Sequence, residues 1–378
     1  RNAKAQIGKG RDKTLRIAVV RRECGPGLGG AEAYCANVCT WLTEMGHNVT
    51  VVADKSLLPG LPFFRAPVWG RGSILKNLSF FLNARQVLKA GDFEKSYGLS
   101  RVAPVDVLRI SDPLHAAWLD LGYQKSTKFR RLRPRHRLLL WMEARAIKEA
   151  KAIVTNSQLV KGQVQRYYST CAEKVTVIYN GVDLKRFRPM THEDRVLAKK
   201  SLGISDDATI FVFAGSDLRR KGLSRLLSAL AQFREQPFML LVAGSRGNRE
   251  LKKRIEGMGL GQRVKWLGYV KDIERLYALA DLFILPTHYD PFANTTLEAM
   301  ACGTPVLTTR QNGAGEIVEQ VAHWLVVERP CHKNIIEALN AFTTLPAQER
   351  RLLGEKARLV AQKFSWHRHI ENLITVLL

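Results

Sequence analysis

An α/β fold with two Rossmann-like halves is what this sequence predicts, and three observations carry that expectation. Short β-branched and apolar runs alternate with helical stretches along most of the chain. The alternation stops in a polar, turn-rich stretch near residues 180–205 and then restarts. The length, 378 residues, suits two domains at roughly 100–200 residues each. No period of roughly 20–50 residues repeats, which argues against a solenoid.

The elements follow in order. Residues 1–14 are polar and basic and read as an unstructured tail. Residues 15–20 form an apolar run that enters a glycine-rich turn, and a helical pattern spans 31–45 until Gly46 ends it. Residues 48–53 (N-V-T-V-V-A) resume as a strand, completing the strand–helix–strand unit of a parallel sheet. Further strands are expected at 105–110, 152–155 and 174–178. After the turn-rich N-G-V-D and its polar sequel, strands are expected at 209–214, 238–243, 264–267, 281–285, 305–308 and 322–327. Helical stretches at 346–363 and 366–378 close the chain. The implied division is 15–185 for the first domain and 186–365 for the second, with 366–378 a final helix.

The glycine-rich turn Gly25-Pro-Gly27-Leu-Gly29-Gly30 satisfies G-x-G-x-x-G, and Asp54 follows at about the distance of a ribose-binding acid. Four residues, Arg21 to Cys24, separate it from the strand, however, where the dinucleotide fingerprint needs its first glycine directly after the strand. A flexible strand–helix loop and a nicotinamide site are alternatives. The preferred reading is that Gly29 and Gly30, at the mouth of the first helix, offer amides to an anion or a sugar.

The second half carries a sharper pattern. Gly215-Ser-Asp-Leu-Arg219-Arg220-Lys221-Gly222 lies between the strand 209–214 and a helix expected over 223–233. Three consecutive cations before a helix N-terminus suit a diphosphate, although such a run can also be a solvated face. Tyr289-Asp290-Pro-Phe-Ala-Asn294-Thr295-Thr296-Leu-Glu298 follows another strand. A helix starting near Asn294 leaves Asp290 above its N-terminus and puts Glu298 about one turn down. The amides of Asn294, Thr295 and Thr296 can then meet phosphate oxygens while Glu298 reaches a ribose diol. Either threonine hydroxyl could instead merely cap the helix. Trp266-Leu-Gly268-Tyr269-Val270 ends a third strand and could wall a base. In doubly wound sheets ligands sit beyond the carboxyl ends of the strands, so the three segments can converge.

On these residues the chain resembles glycosyltransferase family 4, the retaining group with the GT-B fold. The marks are G-G-A-E from Gly29, T-N-S-Q-L-V-K from Thr155, V-I-Y-N-G-V-D from Val177, the R-K-G loop from Arg220, and Y-D-P-F-A-N-T-T-L-E-A-M-A-C-G-T-P-V from Tyr289. The resemblance runs from about residue 15 to the end. It implies two Rossmann-like domains facing across a cleft, with the C-terminal helices crossing back to the first. It implies an acceptor site in the first domain and a nucleotide-sugar site in the second. Arg220 and Lys221 would neutralise the diphosphate, Glu298 would hold the ribose, Val270 would contact the base, and Asp290 would stand near the donor sugar. Gly29 and Gly30 would close on the diphosphate. Two positions depart from the family pattern: Asp290 replaces its first Glu, and Gly215-Ser216 replaces a common G-R. Within the family, the likeness is greatest to the core glucosyltransferases of lipopolysaccharide assembly.

The resemblance further implies retention at the anomeric carbon without a dedicated metal, and the chain has no D-x-D motif. Front-face attack is expected, the leaving phosphate taking the acceptor proton. Asp290 is expected to be an ionised, orienting carboxylate. His115, in S-D-P-L-H after the strand 105–110, is expected to bond the donor sugar, with a packed or solvated histidine as the alternative. The catalytic set is therefore Asp290, His115 and Lys221. No cofactor and no metal site are expected. The six cysteines are too sparse for a disulfide scaffold and read as reduced; Cys35 and Cys39 lie one helical turn apart without an evident second pair.

Charge sharpens the choice of partner. The formal net charge is +25, and residues 1–190 hold +19 of it, which calls for an anionic partner. From Lys125 to Arg137 (K-S-T-K-F-R-R-L-R-P-R-H-R) there are seven basic residues and no acid, enough at about 1 kcal/mol each for peripheral attachment to an anionic membrane surface. Pro134 should interrupt any helix through that run. A solvated loop and nucleic-acid binding are the other readings; no nucleic-acid signature supports the latter. No apolar run reaches the roughly 18–20 residues of a membrane span, and no signal-peptide pattern opens the sequence. The expectation is a cytoplasmic enzyme at the inner face of a bacterial inner membrane. It would move a hexose from a nucleotide-sugar, UDP-linked by the narrower resemblance, to a glycan or glycolipid such as lipopolysaccharide core. A catalytically inactive basic binding protein and a NAD-type oxidoreductase are the alternatives.

Overall fold

The structure, a computed structural model, describes residues 14–25, 30–121, 130–170, 172–233 and 237–377. Its contacts divide the chain into two compact units. One holds the residues up to Arg109 with Arg137–Ile153 and the last residues of the chain; the other holds Ile110–His136 and Val154–Thr375.

The chain begins with β1 (Arg16–Val20), β2 (Glu23–Cys24), α1 (Gly30–Glu44), β3 (Asn48–Ala53), β4 (Lys55–Ser56), β5 (Phe63–Arg65), α2 (Ser73–Ala90), β6 (Lys95–Gly98) and β7 (Val107–Ile110). There follow α3 (His115–Leu121), α4 (Pro134–Glu149), β8 (Ala152–Thr155), α5 (Gln158–Tyr168) and β9 (Val175–Val177). These strands, apart from β2 and β4, make a seven-stranded sheet of order β5-β3-β1-β6-β7-β8-β9. β1 lies parallel to both β3 and β6. Its residues Ile17 to Val20 are buried, as a strand covered on both faces requires.

Two features of this half go beyond what the sequence showed. β6 sits beside β1 although K-S-Y-G carries one large apolar residue. Its polar atoms are satisfied across the fold: the amide and hydroxyl of Ser96 donate to Asp106 at 2.8 and 2.7 Å, and the Tyr97 hydroxyl meets that of Tyr34 at 2.9 Å. The four residues before the glycine turn are not slack, since β2 pairs with β4. Asp54, at the ribose-acid position of a dinucleotide site, accepts the Val68 amide at 3.0 Å. Pro134 interrupts the helix through the basic run, as expected: Arg130 and Arg131 are helical, Leu132 and Arg133 form a turn, and α4 starts anew at Pro134, where the first helical position needs no N–H donor.

The second half continues with α6 (His192–Ser201), β10 (Thr209–Ala214), α7 (Leu223–Leu230), β11 (Phe238–Ala243), α8 (Arg249–Gly257), β12 (Val264–Gly268), α9 (Ile273–Leu279) and β13 (Leu282–Leu285). It ends with α10 (Asn294–Ala301), β14 (Val306–Thr309), α11 (Gly315–Val318), β15 (Val326–Val327), α12 (His332–Thr344), α13 (Ala347–Ala361) and α14 (Trp366–Leu377). The sheet order is β12-β11-β10-β13-β14-β15, doubly wound about β10. The expected strand over 322–327 keeps only its last two residues, because His323–Leu325 is a 3-10 turn. The start of α14 lies against the V-I-Y-N-G-V-D segment: Val182 N–H donates to Phe364 O, and His369 Nδ1 lies 2.6 Å from Tyr179 O. No helix among the described residues is long and apolar enough to cross a membrane.

Candidate functional site

β10 and β13 are parallel neighbours, so the loops that follow them leave the same edge of the sheet. The first loop ends at Gly222, whose φ is +87° and where a Cβ would lie 2.0 Å from Pro286 O. Only glycine fits there. That approach carries the loop against the β13–α10 segment: His288 N–H and the Thr287 hydroxyl both donate to Arg220 O, at 2.8 and 3.0 Å.

The two loops meet at one carboxylate. Arg220 Nη1 and Lys221 Nζ each donate to Asp290 Oδ2 at 2.7 Å, while Arg219 stays exposed. Asp290 Oδ1 accepts the Phe292 amide at 3.2 Å. Burial alone would raise the Asp290 pKa, but Lys221 and Arg220 outweigh it and hold the carboxyl below its ordinary value. Asp290 is therefore ionised, as expected, but its partners are the two loop cations rather than a helix N-terminus. The pair of cations is pre-assembled in a low-dielectric site.

Asn312 fixes the loop below. Its Nδ2 donates to Thr296 Oγ1 and Thr308 Oγ1, both at 3.0 Å, and its Oδ1 accepts the amides of Ala293 and Ala314, both at 3.1 Å. This corrects the expectation for Thr296. Its hydroxyl accepts from Asn312 and its amide donates to Ala293 O at 3.0 Å, so it serves the loop and not a ligand. Asn294 and Thr295 remain at the open end of α10. The Asn294 side chain accepts from Asn180 Nδ2 at 2.6 Å. Thr295 Oγ1 is buried and has no hydrogen-bond partner among the described residues, an orphan acceptor and donor that a ligand would satisfy.

Glu298 lies one turn down α10, half-buried. Burial pushes its carboxyl up to about 7, against the opposing pull of Arg186, a hydrogen bond from Tyr277, and Lys221. Val270 is half-buried beyond the end of β12, next to Tyr269, which is 88% exposed. Gly30 is the first residue of α1, and a Cβ there would meet nothing within 4 Å. Neither packing nor backbone conformation demands glycine at that point. Gly29 lies outside the described residues.

His115 departs from its expected role. It is buried, and its Nε2 lies 2.9 Å from Nδ1 of His136, the two rings stacked at 5.1 Å. The basic run is only partly described; within it Arg131 pairs with Asp120 at 2.8 Å and Leu132 is exposed. The cysteine pair on α1 gains a third member, since Cys24 Sγ lies 2.7 Å from Cys35 Sγ and all three thiols are buried within 4.8 Å of one another. That is one ligand short of a closed tetrahedral zinc site.

Several residues that order the site were not singled out by the sequence. Ser157, the N-cap of α5, donates to Pro291 O at 2.8 Å and accepts from Val160 N–H. Glu316 on α11 accepts the amides of Gln158 and Leu159 and the Tyr179 hydroxyl. Tyr289, fully buried, donates to Gln163 Oε1 at 2.7 Å. The Ser of T-N-S-Q could be found as a helix-start signal; the others rest on contacts more than 100 residues apart in sequence.

Both halves of the chain resemble known proteins. Residues 28–186 match the model of Glycosyltransferase Family 4, and residues 194–360 match that of Glycosyl transferases group 1. An uncharacterized glycosyltransferase of Methanocaldococcus jannaschii is 26% identical over 96% of this chain and 97% of its own. The D-inositol 3-phosphate glycosyltransferase of Saccharomonospora viridis is 30% identical over 62% of this chain, which spans 57% of that relative. Among solved structures, WaaG, a glycosyltransferase involved in lipopolysaccharide biosynthesis, superposes with a TM-score of 0.81 at 22% identity over 96% of this chain and 99% of its own. Anabaena HepE in complex with UDP and glucose gives 0.75 at 21% identity over 96% and 99%. At these identities the structures establish the fold, which is GT-B.

Proposed function

We propose, for a chain that belongs to the two-domain glycosyltransferases whose models cover it, that it moves a hexose from a UDP-sugar to a glycan or glycolipid acceptor with retention and without a metal ion. The observation that carries this reading is the convergence of Arg220 and Lys221 on Asp290 beside the open end of α10. Two cations held by one buried carboxylate are positioned before any substrate arrives. When a diphosphate binds, the remaining N–H donors of both side chains can turn to its oxygens without giving up Asp290. They then stabilise the charge that develops as the glycosidic bond breaks, a role worth most where water is excluded.

The remaining donor contacts follow from position. The Thr295 hydroxyl and the amides of Asn294 and Thr295 meet phosphate at the helix start. Glu298, as a carboxylate, accepts both hydroxyls of the ribose diol. Val270 lies against the base. Asp290 orients the cations and the sugar and forms no covalent bond. The acceptor hydroxyl attacks from the face the phosphate leaves, and the departing phosphate oxygen takes its proton. UDP as the nucleotide is supported by the HepE complex, and a lipopolysaccharide-type acceptor by WaaG, each a statement about that neighbour. A basic segment ending at Arg137 supports attachment to an anionic bilayer at the cytoplasmic face.

The test is a thermal-shift screen of UDP-, GDP- and ADP-hexoses, followed by transfer assays in excess chelator. The reading expects a midpoint rise with a UDP-hexose and undiminished transfer in chelator. No shift with any nucleotide-sugar refutes it.

A further inference from the structure

A second cationic site, whose lining does not include Asp290, Arg220 or Lys221, lies in the same unit. A cavity of about 450 Å³ is lined by Arg225 and Ser228 of α7, His288 of the β13–α10 loop, and Arg329, Cys331 and His332 where α12 starts. Its size falls in the range of small-molecule sites. Two guanidiniums and two imidazoles face it, and no carboxylate lines it.

The charges at its wall are uncompensated. Arg225 is half-buried, and burial lowers its pKa with no Asp or Glu acting on it. His288 is lowered by burial and then by the nearby charges of Arg225 and Arg219. Neither Arg225 nor Arg329 forms an ion pair with a carboxylate among the described residues. A guanidinium such as Arg225, partly removed from water and without a carboxylate partner among the described residues, is stabilised by an anion that joins it, and the exposed Arg329 brings a second guanidinium to the same cavity. The start of α12 adds to the same field, since Cys331 gives it no side-chain cap. Forked guanidiniums and a helix start match a tetrahedral oxyanion. The volume leaves room for a sugar ring attached to it.

We propose that this cavity binds the phosphate group of a small phosphorylated sugar, at a site separate from Arg220 and Lys221. It does not depend on the donor reading, because none of its wall residues holds the nucleotide-sugar in that reading. The two sites are joined through the backbone, as His288 N–H donates to Arg220 O.

Calorimetric titration of the full chain with inorganic phosphate and with glucose 6-phosphate tests the inference. The expected result is binding of both, glucose 6-phosphate the tighter by about tenfold or more. Arg225→Gln and Arg329→Gln should each weaken both by about tenfold or more, as loss of a charge-assisted bond does. Arg329 is exposed, so its replacement leaves the fold intact. Lys221→Ala should leave these affinities unchanged. Binding that survives both arginine changes, or that disappears in Lys221→Ala, overturns the site; equal affinity for the two probes overturns the sugar.

Discussion

Replacing Asp290 with Asn keeps the shape of the side chain and removes the charge that Arg220 and Lys221 share. The side chains of Asp290, Lys221 and Arg220 are 9%, 12% and 24% exposed, so Lys221 loses its carboxylate partner in a place where water replaces it poorly, while Arg220 keeps Asp217 at 3.3 Å. Removing one partner of a fully buried pair costs about 3–5 kcal/mol. Arg220 can swing partly outward and the amide still accepts one hydrogen bond, which brings the expectation to about 2 kcal/mol. For a domain of this size that is about 4–8 °C in melting temperature. The wild-type pair also predicts the acid response. Its stabilisation is complete above about pH 4, the ordinary Asp range, and is lost as pH falls through the lower native value. UDP should behave in the opposite way: its phosphates supply the missing charge, so a fixed UDP concentration should raise the melting temperature of D290N more than that of the wild type. The assay is a paired thermal melt with and without UDP. A variant that melts with the wild type, or that gains no more from UDP, refutes the reasoning.

Three other outcomes follow from the same geometry. Glu298 must ionise to accept a ribose diol, and burial holds it near 7; UDP affinity should therefore fall about tenfold from pH 8 to pH 6, and E298Q should flatten that dependence. A pH-independent wild type contradicts the assignment. N312A strands the amides of Ala293 and Ala314 and should lose about 3 kcal/mol in denaturant unfolding; a loss under about 1 kcal/mol would show that the loop is held otherwise. G222A places a Cβ against Pro286 O at a positive φ and should lose about 2 kcal/mol or more together with UDP affinity, both readable in one melt series.

Local pattern made much of this protein legible. Strands β3, β8, β10 and β11 stand where their β-branched or apolar runs put them, and the cation loop and the Asp290–Glu298 segment do leave one edge of one sheet. What local pattern could not carry was partnership across the fold. β6 is hidden because a buried Tyr and a Ser satisfied by Asp106 do not look like a strand core. Thr296 looked like a ligand residue until Asn312, sixteen positions on, took its hydroxyl. The His115–His136 pair and the approach of Cys24 to Cys35 are likewise products of chain return. Pro134, by contrast, reads correctly from local pattern, since the helical turn before it ends at Arg131 and a new helix starts at the proline.

We propose that Lys221 and Arg220, held on Asp290, carry the departing diphosphate of a UDP-hexose during a retaining transfer. Nuclear magnetic resonance of the product formed from an α-linked UDP-hexose and a glycolipid acceptor, with wild type and Lys221→Ala side by side, tests it most directly. The account predicts an α-linked product from the wild type and a turnover lower by about 10²–10³-fold from the variant. A β-linked product, or a variant that turns over like the wild type, would contradict it.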